Sequence, residues 1–218
     1  MRLQFFDPEA EFTVSQRNLP HWEQPGAVYF ITFRTIDSLP KAVLQQWLAE
    51  RDAWLNARGI DASEEDWQKQ LRRLAPKTRA YIQRWLTEEF DRCLDQCHGA
   101  CVLRESRLST IVAASLRHFD GVRYHLGDFV VMPNHVHLLV QFLGDATPKA
   151  QCKSWKRFTA AEVNRILGQH GHFWQDESFD HLVRSEDEFS YLREYIAANP
   201  TRAHLEAGHY AYYRCPQV

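Results

Sequence analysis

The chain has 218 residues, a length that suits one large domain or one domain carrying an insertion. With 44 % hydrophobic and 13 % aromatic side chains it can fill a sizeable core. Its 26 basic and 28 acidic side chains exclude a globally basic polyanion binder, so any anion site has to be a local patch.

Met1 to Phe12 (MRLQFFDPEAEF) carries Asp7, Glu9 and Glu11 and lacks the apolar stretch of a signal peptide. Nowhere does the chain approach the roughly 18 apolar residues of a membrane span. Five cysteines are an odd count for a disulfide framework, and a reducing, cytoplasmic location is expected. Ala27 to Thr35 (AVYFITFRT) is aromatic and β-branched and predicts a strand, entered through Pro25-Gly26 and left through Asp37-Ser38.

From Pro40 to Leu103 the pattern turns helical. Val43, Leu44, Trp47, Leu48, Trp54 and Leu55 keep one stripe, and Ile82, Trp85, Leu86, Phe90 and Leu94 keep another. Gly59 and Pro76 divide the stretch, which reads as a helical insertion at about 40–103 in a single domain spanning 1–218. Cys93, Cys97 and Cys101, with His98 between them, form one cluster. Zinc signatures use two separated pairs, so these read as thiols without a metal.

Leu108, Ile111, Val112, Ser115, Leu116 and Phe119 predict an amphipathic helix stopped at Asp120-Gly121. Val122 to Met132 and Asn134 to Phe142 predict an antiparallel hairpin turning at Pro133-Asn134. Pro148 to Leu167 predicts a helix with a basic face. Lys149, Lys153, Lys156, Arg157 and Arg165 stand there against Glu162, and Lys149, Lys153 and Arg157 recur every four residues. Such a face suits phosphate contacts, and equally an ordinary solvated surface. Trp155 suits base stacking or core packing.

Ser185 to Glu188 reads as a capping box opening a helix from Glu186 to Ala198, with Asn199-Pro200 ending or kinking it. Elements in this order make an α+β fold, an antiparallel sheet with helices on one or both faces.

Within the second hairpin strand, alternation puts His135 and His137 on one face and Val136, Leu138 and Val140 on the other. Two imidazoles on one strand can donate to one divalent metal, but two ligands are an incomplete site. Without a third ligand they are two histidines on a sheet face. Tyr191, Tyr195 and Asn199 follow at steps of four and share a helical face. That face suits an active-site tyrosine with an amide ligand, or a tyrosine stripe packed on the sheet.

The runs VVMPNHVHLLV (Val130 to Val140), FWQDESFDHLVR (Phe173 to Arg184) and YLREYIAANPTRA (Tyr191 to Ala203) resemble the single-tyrosine HUH transposases. They look most like the REP-associated branch, which acts on repeated palindromic DNA elements. RNLPHW (Arg17 to Trp22) and YFITFR (Tyr29 to Arg34) are similar to that branch too, while roughly Lys41 to Cys101 is unmatched.

The resemblance implies a ferredoxin-like HUH nuclease fold, a small antiparallel sheet with flanking helices. It implies His135, His137 and Asn199 as ligands of a divalent metal, Mg²⁺ or Mn²⁺, and Tyr195 as nucleophile. It further implies single-stranded DNA with a hairpin as substrate, a homodimer, and a cytoplasmic, nucleoid-associated protein. Asp180, His181 and Arg184 match the family's Asp-His-x-x-Arg run and are expected near the DNA or bracing the site. With Lys149, Lys153, Lys156 and Arg157, His181 and Arg184 make the expected nucleic-acid contacts.

The chemistry suits these residues. A tyrosine oxygen, with an ordinary pKa of about 10, can hold DNA as a phosphodiester and so conserve the bond for resealing. A metal beside it polarises the phosphate and stabilises the leaving 3′ oxygen. No proton acceptor for Tyr195 stands out. The competing readings are a non-catalytic nucleic-acid binder on the same fold and a metal hydrolase using water. The hydrolase needs carboxylates near the histidines, and Asp145, the next acid after them, lies beyond the strand.

Overall fold

The computed structural model describes residues 3–16, 20–64 and 67–216. Arg17, Asn18 and Leu19 of the RNLPHW run lie outside the described residues. In chain order the elements are β1 (Thr13–Gln16), β2 (Pro20–Glu23), β3 (Val28–Arg34), α1 (Lys41–Asn56), α2 (Trp67–Arg72), α3 (Pro76–Asp95), α4 (Ser106–Arg117), β4 (Tyr124–Val131), β5 (His135–Phe142), α5 (Pro148–Leu167), β6 (Phe179–Leu182), α6 (Glu186–Arg202) and β7 (Ala211–Tyr213).

The chain divides into two compact units. One comprises residues 1–38 and 100–218, and the other is Leu39–Gly99. The second holds α1 to α3 around buried Leu55, Ile60, Leu71 and Ile82, with Trp54 and Trp85 stacked at 3.9 Å between ring centroids.

The first unit is built on a five-stranded sheet in the order β6-β3-β5-β4-β7, every neighbouring pair antiparallel. The fold is α+β, as its element order implies. Strands β3 and β5 are buried almost throughout because both sheet faces are covered. Ile31, Phe33, Val136, Leu138 and Val140 meet Leu108, Val112 and Leu116 of α4 and Trp155 and Val163 of α5. On the opposite face Phe30, Val130 and Leu139 meet Phe189, Leu192, Tyr195 and Ile196 of α6.

The hairpin of β4 and β5 has an irregularity between Leu126 and Phe129. Gly127 lies there so close to β5 that an added Cβ would stand 2.9 Å from the Leu139 Cβ. At the same bulge Asp128, 1 % exposed, accepts from Arg193 of α6 (Nε, 3.0 Å) and from the backbone N–H of Cys215 (2.8 Å). This pair fixes α6 along the sheet. Removing one partner of such a buried pair costs about 3–5 kcal/mol, because it strands the other charge.

Helix α5 starts at Pro148, with the Thr147 hydroxyl accepting from the Ala150 N–H, and stops at Gly168 in the left-handed region (φ 65°). Helix α6 begins as predicted, with the Ser185 hydroxyl accepting from the Glu188 N–H at 3.1 Å. Its end differs from expectation. Instead of stopping before Asn199-Pro200, the helix continues to Arg202, and the Ala203 N–H still reaches the Asn199 carbonyl. Pro200 removes its own N–H and crowds the carbonyl of Ile196, yet the helix persists for one more half-turn because buried Tyr195, Ile196 and Asn199 hold it on the sheet and later amides still find partners. Asn199 is therefore an inward-facing helical residue.

Candidate active site

β5 runs between β3 and β4 with His135 opposite Arg34 and His137 opposite Thr32. Alternation turns both imidazoles toward the α6 side of the sheet, where they are 0 % exposed. Their ring centroids are 4.6 Å apart. Each Nδ1 is engaged, His135 with Asn134 Oδ1 at 2.8 Å and His137 with Thr32 Oγ1 at 2.7 Å. These contacts fix the rings and leave each Nε2 toward the site. Among the described residues neither Nε2 has a hydrogen-bond partner, and neither does the Oδ1 or Nδ2 of fully buried Asn199.

An unsatisfied buried polar group costs roughly 1–3 kcal/mol. Several such atoms on one side of one sheet fit the donor set of a divalent ion. Burial pushes His135 down to about 3, and burial together with the charges of His135 and Arg202 holds His137 well below the ordinary imidazole range. Both rings are thus neutral, the form that ligates metals. No group of three or more His, Cys, Asp or Glu that could hold a metal occurs among the described residues. The cysteines near His98 are likewise part of no such group.

Tyr195 projects from α6 onto the same patch. Its ring is 8 % exposed and lies 5.5 Å from the His137 ring and 6.0 Å from Phe30, centroid to centroid. Tyr191, one turn earlier, is 46 % exposed, with its ring 6.4 Å from that of Tyr195. The two tyrosines that sequence spacing left equivalent differ in depth, and the deeper one meets the histidine.

Two cations in this region went unnoticed in the sequence. Arg34, half-buried, shares the histidine face by its register opposite His135, and burial lowers its pKa from the ordinary guanidinium value. Arg202 places its guanidinium carbon 5.1 Å from the Tyr195 ring centroid. Its spacing, seven residues after Tyr195 and three after Asn199, was the available signal, hidden by the expected helix stop at Pro200.

The basic helix is elsewhere. The α5 residues in the core pack against the other sheet face, so Lys149, Lys153 and Arg157, all exposed, are not gathered around His135 and Tyr195. The Lys156 ammonium donates to the backbone carbonyls of Gln175 (3.1 Å) and Asp176 (2.6 Å). Trp155 is core, with its indole N–H donating to the Tyr124 hydroxyl. Trp174 is also buried, 4.9 Å from the Phe33 ring. His181 lies on β6 opposite Phe30, with its Nε2 2.9 Å from Glu188 Oε1, and Arg184 is exposed beside it.

Residues 104–199 match the family model described as "Transposase IS200 like". The chain is similar to the IS200-like transposases. The matched stretch holds His135, His137 and Tyr195 and closes on Asn199, and it agrees with the resemblance carried by the hairpin and α6. Among solved structures, the chain is similar to one described as "Structure of the REP associates tyrosine transposase bound to a REP hairpin". That match has 15 % identity and a TM-score of 0.41, and covers 82 % of this chain and 69 % of the other. No curated protein matches the chain. No helix among the described residues is long and apolar enough to cross a membrane.

Proposed function

We propose that this IS200-like chain is a metal-dependent single-stranded DNA endonuclease and strand transferase, forming a 5′-phosphotyrosine intermediate at hairpin-flanked sites. The observation that carries the reading is the buried set His135, His137 and Asn199, with polar atoms unmatched, beside the buried phenol of Tyr195 on one sheet face. A bound Mg²⁺ or Mn²⁺ supplies polarisation of the scissile phosphate and charge stabilisation at the leaving oxygen. The neutral donor set suits Mn²⁺ at least as well as Mg²⁺, which prefers hard oxygen ligands.

The chain's own residues do the rest. Thr32 and Asn134 orient the two imidazoles, as outer partners of metal-bound histidines do. The Tyr195 oxygen attacks phosphorus, the bond from phosphorus to the 3′ oxygen breaks, and that oxygen leaves as a hydroxyl after taking a proton. The phenolic proton given up by Tyr195 is matched by the one that the 3′ oxygen takes. Arg202 stands over the ring where charge accumulates on the phosphate. Reversal by a new 3′ hydroxyl reseals a strand.

His181, Arg184 and the α5 cations hold flanking DNA in this reading, two chains act together as a homodimer, and the substrate places the protein at the cytoplasmic nucleoid. Incubation with labelled hairpin DNA and Mn²⁺ tests it. A denaturant-stable protein–DNA adduct is the expected result. Tight hairpin binding with no adduct would instead support the non-catalytic nucleic-acid binder.

A further inference from the structure

The helical unit Leu39–Gly99 lies outside the stretch that matches the transposase family and contributes none of the candidate active-site residues. It carries ten basic and ten acidic residues, but the two signs are segregated. From Trp67 to Trp85 stand Lys69, Arg72, Arg73, Lys77, Arg79 and Arg84 without one acid. After Trp85 the sign reverses, with Glu88, Glu89, Asp91 and Asp95 against Arg92. A surface kept only for solvation mixes the signs, whereas a block of like charge marks a surface for a partner. Arg73 and Lys77 are exposed, and neither forms an ion pair among the described residues.

Aromatic rings share this region. Ile82 of α3 is buried in the core of the unit, and Leu86 packs against that core. Tyr81 and Trp85 each precede one of these by a single residue, which turns them about 100° away around the helix. Tyr81 is 57 % exposed and Trp85 is half-buried. Trp85 stacks on Trp54 with planes 5° apart, and the Arg58 guanidinium carbon lies 3.6 Å from the Trp54 ring centroid. Two groups so close to one ring occupy its opposite faces, so Arg58, Trp54 and Trp85 form a three-layer stack. Tyr81 flanks it, with its ring 6.2 Å from that of Trp54. Lys77, Tyr81 and Trp85 recur at steps of four, which puts a cation on the helix face of the two rings.

The charge block matches a polyanion. An acidic peptide or a DNA duplex meets the charge but leaves the rings idle, since a duplex keeps its bases stacked on one another. Unpaired nucleotides meet both, because every base has a π-face and is joined to a phosphate. Stacked on Trp54, the Arg58 guanidinium still has N–H edges for phosphate oxygens.

We infer that the helical insertion is a second binding surface for single-stranded DNA, with unpaired bases on Tyr81 and Trp85 and phosphates beside Arg58, Arg73 and Lys77. The inference rests on the reading that single-stranded DNA is the substrate, and it adds a contact that the matched family region does not contain. Stacking and phosphate contacts carry little sequence information, so this surface sets affinity and leaves the choice of site to the rest of the chain.

The test uses the full chain and an oligothymidine, which forms no hairpin, carrying one 5-iodouracil that photocrosslinks to aromatic rings it stacks on. Mass spectrometry should find the crosslink on Tyr81 or Trp85. In fluorescence anisotropy Tyr81→Ala and Trp85→Ala should each weaken binding about tenfold, while Tyr81→Phe stays close to the unaltered protein. Tyr81 is exposed, so its variants stay informative if loss of Trp85 disturbs the unit. Arg73→Gln with Lys77→Gln should reduce the salt slope by about 0.7 for each lost contact. Crosslinks found only outside Leu39–Gly99, or affinity unchanged in Tyr81→Ala with an unchanged salt slope in the double variant, would overturn the inference. Polyglutamate that displaces the strand as well as free oligothymidine does would overturn it in favour of an acidic protein partner. Adduct formation on hairpin DNA is scored separately. A crosslink on Tyr81 or Trp85 without any adduct sinks the tyrosine chemistry and leaves this surface standing, and an adduct with no crosslink in the insertion does the reverse.

Discussion

The phenol ring of Tyr195 meets the imidazole of His137 edge to face, with centroids 5.5 Å apart and planes at 73°. This contact distinguishes Tyr195 from Tyr191, which stands one turn further out and half in solvent. Tyr195→Phe removes one oxygen and keeps the ring against Phe30 and His137, so folding and hairpin binding should persist. No covalent adduct should form. Tyr191→Phe should retain most of the activity, and mass spectrometry of the trapped peptide decides between the two tyrosines.

A metal that satisfies His135, His137 and Asn199 should stabilise the fold as well as the reaction. At a concentration of 100 times Kd the added stability is about 2.7 kcal/mol. Titrating Mn²⁺ should therefore raise the melting temperature of the unaltered protein. His135→Ala should lose this rise and all cleavage while binding DNA nearly as before. An equal rise in both proteins would place the metal elsewhere.

Arg202 reaches over the Tyr195 ring from the last turn of α6. If its guanidinium holds the phosphate as charge develops, Arg202→Gln should slow adduct formation by about 100-fold, in line with the loss of one preorganised donor. Arg202→Lys should recover part of the rate, since it restores charge but not the planar fork. Hairpin affinity should change little in either variant. Single-turnover kinetics with saturating DNA separates the rate from the affinity.

For α5 the expected signature is electrostatic. Removing Lys153 and Arg157 together should weaken binding on all sequences and reduce the salt slope by about 0.7 for each lost contact with single-stranded DNA. An unchanged slope would mark this helix as an ordinary solvated face.

His21, whose ring nitrogens contact Glu177 and Asp180, should make stability depend on pH in a defined direction. The folded His21 pKa is raised above 6.5, so the stability it contributes is complete below that value and is lost as pH rises through the folded pKa. Asp180 is also raised, chiefly by burial, and acts in the same sense. His21→Gln should therefore be less stable than the unaltered protein at mildly acidic pH, with the difference shrinking above neutrality. Thermal melts across that range, with an NMR titration of His21, provide the check.

Elements with strong periodicity were legible in the sequence. Helix α5 spans the residues its pattern marked, and β3 lies within Ala27 to Thr35. The histidine pair was legible because alternation on a strand is rigid. The end of α6 was not, since local preference at Asn199-Pro200 argued for a stop and tertiary packing carried the helix to Arg202. β4 begins at Tyr124 rather than Val122, because Gly121 turns the chain in the left-handed region (φ 77°) and leaves Val122 exposed. Most opaque was the placement of the basic helix. A count of lysines and arginines says nothing about which face of a sheet their helix will cover.

That placement has a geometric consequence for any strand engaging both regions. The α5 cations and the tyrosine stand on opposite sides of one sheet, whose edge toward β3 is the four-residue β6. A strand held by one chain at α5 and cut at the tyrosine of that same chain has to travel around a sheet edge. The edge then acts as a ruler: oligonucleotides shorter than the detour can occupy either station but not both, and cutting should switch on at a threshold length rather than rise smoothly.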